Sequence, residues 1–456
     1  MASRQGIDMD TPFTLMVGSE ALLTGASPHL REALKKRLTI DNPQYLDAKK
    51  YSRWLGKKIK PQLYFYTEEG ESIRFPRGYA NQAILLARKF MRRDPRIIDR
   101  RQTLPPVDFS FQGSLRPYQE EAIAALGQRD FGVLEAGTGS GKTVIALALI
   151  ARRKQPTLVL VHTKELLYQW AERARAFLGV EAGLIGDGNF SIAPLTIAIV
   201  NSAKKRLAEL PDKFGQLCVD ECHRVPASLF TEVVSAFHCR YLLGLSATAF
   251  RRDGLTGLIS IYLGDRAFKV ETEELHASGA VLKPEFIQRP TEFRYVYRGN
   301  YQALMKALTG DAARNQLIVE EIAREATTAA GTILVVSDRV RHCEELSALL
   351  EKQGIHSAVL TGKLPAEQRT ALVEEIRRGG IKVLISTVQL IGEGFDCPDL
   401  ATLFLTTPIK FTGRLLQVVG RILRPAQGKQ PRVYDYVDPV GVLSSSAQSR
   451  WLTFRS

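Results

Sequence analysis

Residues 136–143 read Ala-Gly-Thr-Gly-Ser-Gly-Lys-Thr, and this octet limits the possible folds more than any other segment. Without side chains at Gly137, Gly139 and Gly141, the backbone can curl so that its N–H groups, including those of Thr138 and Ser140, turn inward onto phosphate oxygens. A helix that follows directly aims the positive end of its dipole at the same point. The flanks fit that need: the apolar run Phe131–Glu135 precedes the loop and the helical pattern Val144–Ile150 follows it. Lys142 is then placed for the terminal phosphates of a nucleoside triphosphate and Thr143 for its magnesium ion. Ala136 stands where the general pattern has its first glycine, a small residue where a small one is needed.

Val219-Asp220-Glu221-Cys222-His223 follows about eighty residues on. An Asp-Glu pair is common by itself, but Gln216–Val219 is a short apolar run with polar flanks, the signature of a buried parallel strand. Asp220 and Glu221 therefore emerge at a carboxyl end, the edge where open α/β sheets bind ligands. A hard cation bridging phosphate oxygens takes carboxylate ligands, which suits Asp220 for magnesium. Glu221 is placed to orient and deprotonate an attacking water.

Further segments fall in order behind these two. Ser246-Ala247-Thr248 follows the apolar run Tyr241–Leu245, and Gln417-Val-Val-Gly-Arg421-Ile-Leu-Arg424 lies near the C-terminus. With Leu115-Arg116-Pro117-Tyr118-Gln119 upstream, Leu158–Glu165, Ile197–Ser202, and Val383–Asp396 with its Gly394 and Asp396, the chain resembles the superfamily 2 helicases and translocases over about residues 112–438. Leu115-Arg116-Pro117-Tyr118-Gln119 and Ser246–Gly254 look most like the branch holding the xeroderma pigmentosum group B helicase, type III restriction motors and phage branch-migration helicases. Ala249 departs from the proline usual in relatives at that place.

The resemblance implies roles residue by residue. Arg116, Tyr118, Gln119, Gly394 and Asp396 join the phosphate loop in binding ATP. Gln417, Arg421 and Arg424 form the motif whose guanidinium groups stabilise phosphoryl-transfer charge, with Arg424 favoured for the direct contact. Thr163, Lys164, Asn201 and Ser202, and later Thr361, Gly362 and Thr387, contact a sugar-phosphate backbone. His223, Ser246 and Thr248 couple that grip to ATP. Backbone contacts carry no base code, so binding is expected to be salt-sensitive and independent of sequence.

Alternating apolar runs and helical patterns predict two tandem lobes of parallel sheet, at 112–285 and 286–456, which the resemblance implies are RecA-like, with ATP and Mg2+ bound by the first and completed by the second. Residues 1–111 match neither lobe. They read as a small α+β accessory domain, either recognising DNA or steadying the first lobe, that ends in a charged linker over Arg92–Pro106. Charge agrees with a polyanionic partner: the formal net charge is +14, and residues 1–111 hold 20 Lys+Arg against 12 Asp+Glu. Five cysteines without C-x-x-C spacing argue against zinc, iron–sulfur clusters and a disulfide scaffold. No stretch reaches the length of a membrane span, and the start has no signal-peptide pattern, so a cytoplasmic setting is expected. The predicted function is ATP-dependent DNA unwinding or translocation on duplex, forked or junction DNA. Two alternatives stand beside it: a duplex motor subunit of a restriction complex, and an ATP-gated nucleic-acid clamp.

Overall fold

The structure, a computed structural model, describes residues 12–50, 59–224, 227–247, 255–329, 331–362, 364–391, 400–409, 419–420, 422–423 and 429–455. The chain divides into two compact units, one of Met1–Gly137 with Gly141–Glu271, the other of Thr138–Ser140 with Thr272–Ser456.

The first unit opens with β1 Thr14–Val17, β2 Glu20–Thr24, β3 Thr39–Asp41, β4 Gln62–Tyr64, β5 Thr67–Glu69, β6 Ser72–Pro76 and β7 Arg96–Asp99. Five of them form a sheet in the order β5-β6-β2-β1-β7, while β3 and β4 pair separately. Alternation sends Leu15, Val17, Ala21 and Leu23 inward against Leu30 and Leu34 of the helix Pro28–Arg37 and Ala83 and Ala87 of the helix Ala80–Met91. Strand β7 lies within the stretch expected to be a linker. Its hydrogen bonds to β1, Arg96 N to Phe13 O and Arg100 N to Val17 O, draw that charged segment into the sheet.

This accessory sheet shares its core with the sheet that follows. Phe75 and Tyr79 belong to the same apolar cluster as Leu217, Phe237, Leu242 and Ile261. At the joint Arg77 is 2% exposed, and its Nη1 donates to Cys239 O at 2.6 Å and Gly18 O at 3.1 Å. Next to it a Cβ on Gly78 would stand 2.5 Å from the Tyr262 carbonyl carbon, so two backbones meet there with no room for a side chain. The basic-aromatic stretch Arg74–Tyr79 is thus largely packing.

The larger sheet of the first unit comprises β8 Phe131–Glu135, β9 Thr157–Val161, β10 Gly183–Gly186, β11 Asn189–Phe190, β12 Leu195–Ile199, β13 Gln216–Val219, β14 Tyr241–Ser246 and β15 Arg266–Lys269. Their order is β11-β10-β12-β9-β13-β14-β8-β15, parallel except for the short β10–β11 hairpin. Strands β9 and β13 are buried at every residue, which is why they read as unbroken apolar runs. Because every parallel strand points the same way, the loops after β8, β9, β12, β13 and β14 emerge on one edge.

The second unit repeats the parallel plan with β16 Glu285–Pro290, β17 Thr332–Ser337, β18 Ser357–Leu360, β19 Val383–Thr387, β20 Leu400–Leu405 and β21 Arg432–Val437, in the order β16-β21-β20-β17-β19-β18. All its pairings are parallel. Some buried polar groups here are matched to partners: Arg314 Nε meets Asp438 Oδ1 at 2.8 Å, and His342 lies between Ser337 Oγ at 2.9 Å and Asn315 Oδ1 at 3.0 Å.

Candidate nucleotide and nucleic-acid edge of the first unit

The loop after β8 is shaped by two glycines that only a residue without Cβ adopts at low cost: Gly139 at φ +89° and Gly141 at φ +79°. Gly141 caps the helix Lys142–Arg153, so free amide donors of the first turn face the loop. Gln119 closes the other side. Its Oε1 accepts from Arg116 N at 3.0 Å, and a Cβ on Gly141 would fall 2.5 Å from its Nε2. Tyr118 and Gln119 are both buried, on the helix Pro117–Gly127. Lys142 Nζ donates to Ala136 O at 3.0 Å and to Gly137 O at 3.4 Å, and stands 4.0 Å from Glu221 Oε1.

The acidic pair sits two strands away, at the end of β13. Asp220 is held from both sides: Trp170 Nε1 donates to Oδ2 at 2.8 Å, and Glu221 N donates to Oδ1 at 2.9 Å. Burial, then the adjacent Glu221 charge, pushes its carboxyl up to about 6. Glu221 goes the other way. Burial favours its neutral form, but the positive side chains of Lys142 and Arg224 and the nearby imidazoles of His223 and His162 outweigh it and hold the carboxyl below its usual range. Glu221 adopts φ +46°, a left-handed conformation that costs a non-glycine residue about 1 kcal/mol. Its buried Oε2 has no hydrogen-bond partner among the described residues, with His223 Nδ1 the near contact at 3.3 Å.

His223 bridges outward. The same Nδ1 lies 3.0 Å from Ser246 Oγ at the end of β14, and burial lowers the imidazole to about 4, so the ring is neutral at pH 7. A neutral ring can present one Nδ1 proton, so Ser246 and Glu221 face a shared donor position.

Residues of the first unit expected to meet nucleic acid lie on the same edge. Thr163 ends the turn after β9, and its hydroxyl is engaged in capping the helix Lys164–Leu178 through Leu166 N at 3.3 Å; Lys164 beside it is exposed. Asn201, exposed, and Ser202, part-buried, begin the short helix after β12. In the second unit Thr361 and Gly362 follow β18 and Thr387 ends β19; Thr361 is buried, while a Cβ on Gly362 would meet nothing within 4 Å. Thr248, Gly394, Asp396, Gln417, Arg421 and Arg424 lie outside the described residues. Sequence reasoning missed Trp170, since one tryptophan on an amphipathic helix gives no sign that its N–H meets a carboxylate fifty residues away.

A parallel sheet with a phosphate loop after one strand and a carboxylate pair after another, followed by a second parallel lobe, defines a tandem RecA-like architecture. The family described as "Type III restriction enzyme, res subunit" matches residues 112–251, and that described as "Helicase conserved C-terminal domain" matches residues 313–426. The protein named "Probable helicase D10" of Escherichia phage T5 is 27% identical over 370 residues, covering 79% of each chain. "DNA 3'-5' translocase XPB2" of Sulfurisphaera tokodaii is 28% identical, over 68% of this chain and 78% of its own. The Hef helicase domain of Pyrococcus furiosus shares the fold at a TM-score of 0.51 and 15% identity, over 75% of this chain and 98% of that one. These matches support a superfamily 2 helicase or translocase of the branch that holds the xeroderma pigmentosum group B helicase and the type III restriction motors.

Proposed function

We propose that this chain is an ATP-dependent DNA translocase and helicase acting on duplex or branched DNA. The observation that carries the reading is the order of strand ends in the first unit. The phosphate loop follows β8, the acid pair β13 and Ser246 β14, while the exposed Lys164 and Asn201 lie one and two strands beyond on the same edge. Chemistry and grip are thus neighbours on one sheet, with Ser246 between the phosphate loop and the acid pair and His223 directly after that pair.

The residues fit magnesium and a nucleoside triphosphate. The loop mouth is lined by backbone and by a lysine that sits on two carbonyl oxygens, and a buried carboxylate oxygen of Glu221 is without a hydrogen bond among the described residues. Thr143 and Asp220 would hold the metal, and Lys142, Thr138, Ser140 and the loop amides the phosphates. When bound, magnesium–ATP supplies a phosphoryl group whose charge the metal helps to neutralise. Glu221 Oε2 takes the proton of the attacking water; its carboxyl is kept ionised by Lys142 and its neighbours, so it starts in the accepting form. The proton on His223 Nδ1, shared in reach between Glu221 and Ser246, links the state of the base to β14. The arginines Arg421 and Arg424 enter this reading from motif order alone.

The relative named a translocase, and the restriction-subunit family match, support a second reading in which the motor moves along duplex without separating strands. An ATPase assay across single-stranded, duplex, forked and four-way DNA, with RNA as control, tests the substrate class. Release of a labelled strand supports unwinding, and displacement of a triplex strand without unwinding supports translocation alone. Hydrolysis with neither leaves the clamp.

A further inference from the structure

Between β16 and the helix Tyr301–Thr309 of the second unit runs a ten-residue strap, Thr291–Asn300, that the motif reading leaves without a role. Its ends are pinned. Thr291 Oγ1 donates to Asp438 Oδ1 at 2.6 Å, Phe293 is buried beside Leu304, Met305 and Leu443, and Asn300 caps the following helix through Ala303 N at 3.0 Å. The middle is presented outward: Val296 is 76% exposed, Tyr297 37%, and Arg294 and Arg298 are exposed as well. Among the described residues neither arginine has a carboxylate within ion-pair distance, and no backbone hydrogen bond ties 294–299 to the rest of the unit. An apolar and aromatic tip between two unpaired permanent cations is a poor way to meet water alone.

Position says what it meets. Strand β16 runs parallel with β17, β18 and β19, so the strap leaves the same strand-end edge that carries Thr361, Gly362 and Thr387. The gap is bridged by Arg339, directly after β17, whose Nη2 donates to Gln302 Oε1 at the foot of the strap. From β18 to β16 the edge crosses five strand spacings, roughly 24 Å, about the reach of seven nucleotides of one strand.

Resting on the nucleic-acid reading above, we infer that Arg294, Tyr297 and Arg298, with Arg339, form a second contact for a single strand running along this edge. Arginines hold successive phosphates and the Tyr297 ring stacks a base, a combination that tolerates any sequence because every base has a flat face. A protein partner would be expected to need a broader apolar surface than one valine and one ring.

The test uses the full chain and labelled single strands of about ten and about thirty nucleotides, with affinity measured by anisotropy at several salt concentrations and a thermal melt beside it. Tyr297→Ala should weaken binding roughly ten-fold while Tyr297→Phe, which keeps the ring, binds like the unaltered chain. Arg294→Gln with Arg298→Gln should flatten the log–log salt slope by about 0.7 for each lost contact. The melting midpoint should move little, because Arg294 and Arg298 are exposed and Tyr297→Phe keeps the ring. Unaltered binding and slope in all of these variants overturn the strap alone, provided the unaltered chain binds. Equal weakening by Tyr297→Phe and Tyr297→Ala overturns the stacking. No binding by the unaltered chain overturns the nucleic-acid reading and this inference with it.

Discussion

Trp170 Nε1 donates a 2.8 Å hydrogen bond to Asp220 Oδ2, from the face of a helix to the end of the strand two positions from the phosphate loop. An indole N–H can only donate, so this bond favours the ionised carboxylate and fixes its plane, opposing the burial that otherwise raises Asp220. The proposed metal ligand is therefore aimed by a tryptophan buried in the core of the first unit.

Trp170→Phe should retain most of the packing and lose the donor. Removing a hydrogen bond to a charged group costs about 1.5–3 kcal/mol. We expect a lower melting midpoint and, in steady-state assays, a several-fold higher magnesium concentration for half-maximal ATPase. An unchanged magnesium titration would detach Trp170 from the metal site.

Glu221→Gln and Lys142→Ala should differ in kind. The glutamine is isosteric but cannot accept the proton, so nucleotide affinity should survive while turnover falls by at least 100-fold, the order of a general base. Loss of Lys142 should weaken nucleotide capture as well, because its Nζ is the cation over the loop. Near-normal turnover in Glu221→Gln would remove it as the base.

His342 makes the second unit sensitive to acid. Burial lowers this imidazole to about 3, whereas an unfolded chain titrates it near 6.5. Below about pH 6.5 the unfolded state takes up a proton that the folded state refuses, so stability falls as pH drops, by up to about 1.4 kcal/mol per unit until the folded group itself titrates. Melting midpoints from pH 7 to pH 4 should decline less steeply in His342→Gln than in the unaltered chain. Parallel declines would show that other groups dominate, His162 and His223 among them, since burial lowers both to about 4.

Gly78→Ala probes the joint between the accessory sheet and the rest of the first unit. A methyl placed 2.5–2.6 Å from the backbone of Tyr262 and Gly264 must force them apart, a strain of about 1–3 kcal/mol. The midpoint should drop, and protease should cut sooner around residues 92–106. Removing residues 1–111 altogether should lay bare the cluster shared by Phe75, Phe237 and Ile261 and drive aggregation. A soluble, cooperatively melting deletion would show that the shared core is dispensable.

How much of this was legible in the chain differs by region. The phosphate loop, the acid pair and the strands Gln216–Val219, Thr332–Ser337 and Ser357–Leu360 could be read to the residue, because a largely buried parallel strand is mostly apolar and its ends are marked by polar residues or glycine. Strand β7 and the hairpin β1–β2 escaped notice. Arg96–Asp99 is charged and mostly exposed, so its strand character comes from pairing with β1 and not from its own composition.

By itself, then, the sequence determined the local chemistry: which turn could cradle phosphate, which carboxylates emerge beside it, and which runs must be buried, since these depend on neighbours within a few residues. Tertiary structure alone decided which distant groups meet. The strand order brings Lys164 and Asn201 to the edge that bears Glu221, Trp170 reaches Asp220, and Arg77 is buried against Cys239. Such meetings depend on topology and shared packing, and an Arg or Trp carries no mark of the partner that folding will bring to it.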